Sequence, residues 1–161
     1  MLFKTLENHM QSRFLCPNHR QWLISHPRAA LSNLAKTQDT ATYYRERGLF
    51  EQALPYDANA YETAEIVLTT RAEEVPNAAI AMTSCAILLA DTYRKLGQGN
   101  TANNILISTQ NRLQAEYTLL YQQKASQNCV LDCIKALTFG EQTQQLLEKA
   151  GTAEYQNITL H

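Results

Sequence analysis

Apolar residues recur along this chain at steps of three and four, the period of one face of an α-helix. Leu2, Leu6, Met10 and Phe14 advance by fours and predict a first helix over 2–15. The triplet CPN at 16–18 breaks it. Asn18 is placed to cap a short helix carrying Trp22 and Leu23, and SHP at 25–27 ends that one. Pro27 suits a first helical turn, where its missing N–H costs little. A long helical stretch then runs from 28 to 47, and TQDT at 37–40 leaves open whether it is one helix or two. From 50 to 72 the positions Phe50, Ala53, Leu54, Asp57, Tyr61, Ala64 and Leu68 keep helical spacing, with Pro55 expected in the first turn. Pro76 opens a third long helix that ends at KLG, 95–97. Gly99 and Asn100 lead into a fourth, marked by Ala102, Leu106, Thr109, Leu113, Tyr117 and Leu120 and expected to reach about residue 124. A fifth starts at Ser126 or Asn128, carries Val130, Cys133, Ile134, Leu137 and Leu147, and is expected to stop at Gly151. The segment 152–161 has no period and reads as a loose tail.

Three glycines punctuate this pattern. Gly48, Gly97 and Gly151 each follow a helical run with Arg, Lys or Glu in its last turns. Glycine tolerates the left-handed conformation needed just past a helix end. Gly48, inside YYRERGLFEQAL, therefore reads as the turn of a tight helix hairpin. The glycines stand 49 residues (48 to 97) and 54 residues (97 to 151) apart. A recurring helix, glycine, helix unit is the mark of a helical repeat array.

The stretch 34–61 resembles a tetratricopeptide repeat. Ala41, Tyr44, Gly48, Phe50, Ala53 and Ala60 stand at that family's offsets of small residue, aromatic, turn glycine, aromatic and two alanines. A second match covers 83–109 through Ala90, Tyr93, Gly97 and Ala102, with Gly99 replacing the second aromatic and Thr109 the last alanine. The third unit keeps only its helix and Gly151; Leu147 and Gln156 stand where the aromatic and the alanine belong, so it reads as a terminal cap. Both spacings exceed the family's usual period of about 34 residues.

The resemblance implies an all-α fold of antiparallel hairpins stacked as a short right-handed solenoid over 28–151. A helical extension would precede it over 1–27, and a tail would follow over 152–161. It implies a protein- or peptide-binding module of adaptor, scaffold or chaperone-like type, without catalysis. In that family the first helix of each pair lines a concave groove, at positions three, six and ten before the turn glycine. These are Arg45, Thr42 and Gln38, then Arg94, Asp91 and Ile87, then Glu148, Gln145 and Glu141. Arg45 and Arg94, at equivalent places, are suited to grip a carboxylate bidentately. Their other reading is as solvated residues favoured by the dipole at a helix C-terminus. The Lys/Asn carboxylate clamp of the chaperone-binding members is absent.

Composition agrees with an all-helical chain, since four Pro and five Gly in 161 residues leave few turn residues for a sheet. Net charge is −1, which supplies no basic field for nucleic acid. The charge is uneven. Residues 1–36 hold five basic side chains against one acidic, net +4, and 48–75 hold one basic against six acidic, net −5. The two surfaces are expected to be solvated and to attract each other. The longest apolar run, AAIAMTSCAILLA at 78–90, has 13 residues and reads as a buried helix, too short to span a bilayer. The N-terminus lacks the apolar core of a signal peptide. The expected setting is the cytoplasm, with no membrane partner and four free thiols.

Candidate chemistry is sparse. Cys16 and His19 form a C-x-x-H unit between His9 and His26, the ligand types zinc prefers, but only one tight pair is present. This segment carries an alternative reading, a helical-bundle sensor or regulator that binds zinc or a small ligand. Cys129 and Cys133 share a helix face and read as core thiols, as does Cys85. No nucleophile elbow, phosphate loop or H-E-x-x-H is present, so neither cofactor nor metal is expected. A catalytic site assembled only in three dimensions stays open as a third reading. Glu62 and Glu65 read as a solvated helix face, and Glu73–Glu74 as helix-start carboxylates. Tyr43, Tyr44, Tyr56 and Tyr61 cluster in the first hairpin. The long fourth helix admits a homodimer.

Overall fold

The computed structural model describes residues 14–158, with side chains through residue 142. The chain is all-α: six helices and no strand among the described residues. They are α1 (Pro17–Ser25), α2 (Pro27–Arg45), α3 (Phe50–Thr70), α4 (Val75–Lys95), α5 (Gly99–Leu119) and α6 (Lys124–Ile158). Each packs on its sequence neighbour, α1 also touches α3, and α6 also touches α4.

The boundaries follow from local chemistry. Pro17 and Pro27 open α1 and α2, and Pro76 stands in the first turn of α4. The cap of α1 is Cys16, whose Sγ accepts the His19 N–H at 3.4 Å; Asn18 is already inside the helix. TQDT does not interrupt α2, because Thr37 and Thr40 return their hydroxyls to carbonyls of the preceding turn. Pro55 lies in the second turn of α3, beyond the expected first turn; it is exposed, so the carbonyl it leaves unmatched can reach water. The predicted first helix over 2–15 falls largely outside the described residues, and Phe14 and Leu15 form a bend.

Gly48 (φ 69°) and Gly97 (φ 77°) are left-handed, as the turns require. The hydrogen bonds repeat between them. Gly48 N–H donates to Arg45 O and Leu49 N–H to Tyr44 O, while Gly97 N–H donates to Arg94 O and Gln98 N–H to Tyr93 O. This double closure satisfies the last carbonyls of α2 and α4. A Cβ added at either glycine meets nothing within 4 Å, so substitution is penalised by the backbone alone. Gly48→Ala and Gly97→Ala should therefore each lower stability by about 1 kcal/mol in urea denaturation, and by similar amounts.

The third closure is different. α3 ends on Arg71, a left-handed non-glycine at φ 57°, with Arg71 N–H on Leu68 O and Ala72 N–H on Val67 O. Gly151, by contrast, is no turn. α6 runs through it to Ile158, so 152–158 are helical and not a loose tail.

The two glycines are symptoms of a longer recurrence. α3 and α5 begin and end 49 residues apart, at 50 and 70 against 99 and 119. Ala30 and Ala79, Ala41 and Ala90, and Ala53 and Ala102 stand at the same offset, all fully buried. Small side chains at these places let helices approach closely. A continuous core links Leu15 and Leu23 near the N-terminus to Val130 and Leu137 of α6. The apolar run 78–90 lies within α4. That 21-residue helix is long and apolar enough by length and composition to cross a membrane, beyond what the 13-residue run suggested, yet half of its most apolar window is buried inside the fold.

Candidate functional site

Two of the expected groove side chains on α2 turn inward. Gln38 donates to Cys85 Sγ on α4 at 3.3 Å, joining the two helices. Arg45 is not a solvated helix-end residue. Its side chain is 13% exposed, its Nε lies 3.4 Å from Asp57 Oδ1, and its Nη2 donates to Thr42 Oγ1 at 3.1 Å. Thr42 remains exposed, and Ile87, Asp91 and Arg94 are half-buried along α4. On α6, Glu141 is half-buried, and the side chains of Gln145 and Glu148 lie outside the described residues. The register that selected these three loses its turn, because α6 continues through Gly151.

Asp57 is the polar centre behind this face. It is 4% exposed and accepts the Thr92 hydroxyl at 2.6 Å. Burial pushes its carboxyl above the ordinary range, against the pull of Thr92 and Arg45, and the nearby charge of Asp91 adds to the rise. The folded protein thus binds this proton more tightly than the unfolded chain. Asp57's contribution to stability is full in acid and declines as pH rises from the usual carboxyl range through its folded value. Urea midpoints between about pH 4 and pH 7 should show this decline in the wild-type protein and not in Asp57→Asn. An unchanged pH slope in the variant would rule out Asp57 as its source.

A second concavity lies among α3, α4 and α5, a cleft of about 310 Å³. Leu89, Tyr93 and Ile105 form apolar walls, and Tyr61, Glu62 and Glu65 supply the polar side. Tyr61 leaves the other tyrosines and pairs its hydroxyl with Thr109 at 2.9 Å; burial pushes its phenol up. Glu62 is not on a solvated face. It is 7% exposed and accepts the backbone N–H groups of Phe14 and Leu15 at 2.7 and 2.8 Å. Glu65 is half-buried, with Arg20 at 3.6 Å, a contact that joins the basic and acidic stretches. The sequence held a signal for these buried acids: Ala58, Ala60, Ala64, Ile66, Val67 and Leu68 make α3 apolar on nearly every side, so its acids are buried with them.

Tyr43, Tyr44 and Tyr56 do cluster at the tip of the first hairpin. Tyr43 meets Tyr44 edge-on at 5.4 Å, Tyr44 stacks on Tyr56 at 5.7 Å, and Arg47 covers the Tyr43 ring. At the other end of α1, His26 stacks on Trp22 at 4.5 Å and its Nδ1 meets the Trp22 carbonyl at 2.7 Å. No group of three His, Cys, Asp or Glu side chains converges as a metal site among the described residues, and His9 lies outside them.

The described cysteines are free thiols, of which Cys16 is exposed and Cys85 and Cys133 are buried. Burial pushes Cys85 up to about 12, so it carries almost no thiolate near neutrality. Alkylation of the native protein at about pH 8 should modify Cys16 first and leave Cys85 untouched until denaturant is added. Early labelling of Cys85, read by mass spectrometry, would contradict its burial in the core.

Comparison of the chain with protein-family models, with characterised proteins and with solved structures found no match.

Proposed function

We propose that this chain is a non-catalytic, tetratricopeptide-like helical repeat module that binds a protein or peptide, as an adaptor, scaffold or chaperone-like component. In this reading α2–α3 and α4–α5 are two stacked hairpin units. α6 adds a third first-helix that runs on as a cap, and α1 covers the opposite end. The observation that carries it is the 49-residue recurrence of turn glycine, closing hydrogen bonds and fully buried alanines. Its setting is cytoplasmic, in keeping with the free thiols, and its partner is neither nucleic acid nor membrane.

The groove of this module is the face shared by α2 and α4, which the Gln38–Cys85 bond ties together. Arg45 acts there through Asp57, as a support for the wall, and Thr42, Ile87 and Asp91 are the exposed or half-buried residues offered to a partner. Arg45→Glu would place two carboxylates in one buried site, so it tests folding more than binding. The better probe is Thr42→Arg with Ile87→Glu. Affinity capture from native lysate identifies a partner, and titration with that purified partner should show at least a hundredfold loss of affinity in the double variant, about 2.7 kcal/mol. Unchanged affinity would remove the groove from this face.

A further inference from the structure

Two tyrosines line the α3–α4–α5 cleft, and their hydroxyls are placed differently. The Tyr61 hydroxyl pairs with Thr109 at 2.9 Å. Tyr93 is more than nine-tenths buried, at 8% exposure, yet its hydroxyl has no hydrogen-bond partner among the described residues. Burial and the charge of Glu62 push its phenol up, and no hydrogen bond opposes the rise as Thr109 does at Tyr61. The group therefore keeps its proton near neutrality and stands as an O–H donor on the cleft wall. Buried polar groups are nearly always matched, so a molecule that brings an acceptor to this wall makes a bond the chain itself does not make.

The remaining lining narrows what that molecule can be. Glu62 is committed to the N–H groups of Phe14 and Leu15, and Glu65 to Arg20. No Lys or Arg lines the cleft among the described residues. A charged ligand thus finds no free opposite charge, and an anion would also meet two carboxylates. The walls facing Tyr93 are apolar, from Leu89 and Ile105. The cleft's 310 Å³ lies at the small end of the roughly 300–1,000 Å³ usual for small-molecule sites, enough for one or two rings. The sequence recurrence accounts for this room. Tyr93 and Ile105 stand 49 residues after Tyr44 and Tyr56, whose rings stack at 5.7 Å. An isoleucine takes the place of the second ring.

We propose that this cleft binds a small, uncharged, largely apolar molecule of one or two rings, held by a hydrogen bond from the Tyr93 hydroxyl to its one accepting oxygen, as in an aryl ketone. Leu89 and Ile105 supply the apolar contact, and Tyr93 selects for the oxygen. The inference is independent of the groove reading, since it concerns a different concavity and a different class of ligand.

The test titrates the full chain with two probes of the same shape, acetylnaphthalene and isopropenylnaphthalene, which lacks the oxygen. Wild type should bind the ketone saturably at one site. Tyr93→Phe should lower the preference for the ketone over the hydrocarbon by about tenfold, a ratio in which the apolar contribution cancels. Ile105→Tyr restores the second ring and should abolish binding of both probes, with circular dichroism as the control for folding. Without ligand, Tyr93→Phe should match wild type in urea, because its hydroxyl bonds to nothing in the chain. Absence of saturable binding in wild type overturns the proposal. So does a preference unchanged in Tyr93→Phe, or ketone binding that survives in folded Ile105→Tyr. A marked loss of stability in ligand-free Tyr93→Phe would reveal a partner within the fold and overturn it equally. Should Ile105→Tyr not fold, the preference measured in Tyr93→Phe decides alone.

Discussion

Glu116→Gln is expected to lower stability by about 2–3 kcal/mol near neutral pH. Glu116 is 2% exposed and is held by two arginines from different parts of the chain. Arg71 donates to both of its oxygens, at 3.0 and 2.8 Å, and Arg112 donates from one turn earlier on α5 at 2.5 Å. Arg71 also returns a hydrogen bond to Leu68 O at 2.6 Å, so one side chain closes α3 and ties that closure to α5. The glutamine keeps the volume but supplies one acceptor oxygen in place of two and no charge.

The pH dependence has a fixed sign. Burial by itself would raise the Glu116 carboxyl, but the hydrogen bonds and charges of Arg71 and Arg112 outweigh it and hold the group below the ordinary range. Its stabilisation is present above the unfolded carboxyl value and is lost as pH falls through the lower folded value. The difference between wild type and Glu116→Gln in urea should thus be greatest near neutrality and shrink in acid. A difference that grows in acid would contradict the pairing. Arg71→Gly should relieve a left-handed conformation worth about 1 kcal/mol, and still lower stability through the lost bridge.

Leu106→Asp is expected to unfold the protein or to cost more than about 4 kcal/mol. Position 106 stands 49 residues after Asp57, so the two occupy the same place in the recurrence. Leu106 is fully buried within the core cluster, where a Cβ added at Gly140 of the last helix would stand 4.0 Å from its Cδ1. A carboxylate there would be buried among apolar groups, with none of the compensation Asp57 receives from Thr92 and Arg45. The reverse change, Asp57→Leu, leaves Arg45 buried without its carboxylate and should cost about 2–4 kcal/mol. Asp57→Leu with Arg45→Met should recover most of that, because removing both charges of a buried pair is far less costly than removing one. Thermal and urea denaturation of the three variants read the series. No recovery on adding Arg45→Met to Asp57→Leu would mean that Arg45 is not the partner of Asp57.

Much of this fold was legible because small residues and glycines announce themselves. Gly48 and Gly97 need left-handed backbone, and their sequence surroundings marked both turns. Gly151 carried the same signal and failed, since nothing local distinguishes a glycine that ends a helix from one carried within it. The Arg71 turn had no such mark. Its left-handed residue is stabilised by Glu116, 45 residues away, and no local pattern reports that contact. The site was less legible than the fold for a related reason. Arg45 looked like a surface charge because it ends its helix, and Glu62 because charged side chains are rarely buried without a partner. What buries them is tertiary, namely Asp57 from the neighbouring helix and the backbone of Phe14 and Leu15.

The central claim is that α2–α3 and α4–α5 are equivalent units of one stack. A solution structure determined by NMR tests it most directly, through superposition of residues 27–70 on 76–119. The account predicts that the best fit lays Gly48 on Gly97 and Ala53 on Ala102, with the same sense of crossing in both pairs. A best fit in another register, or two pairs that cross with opposite hand, would contradict it.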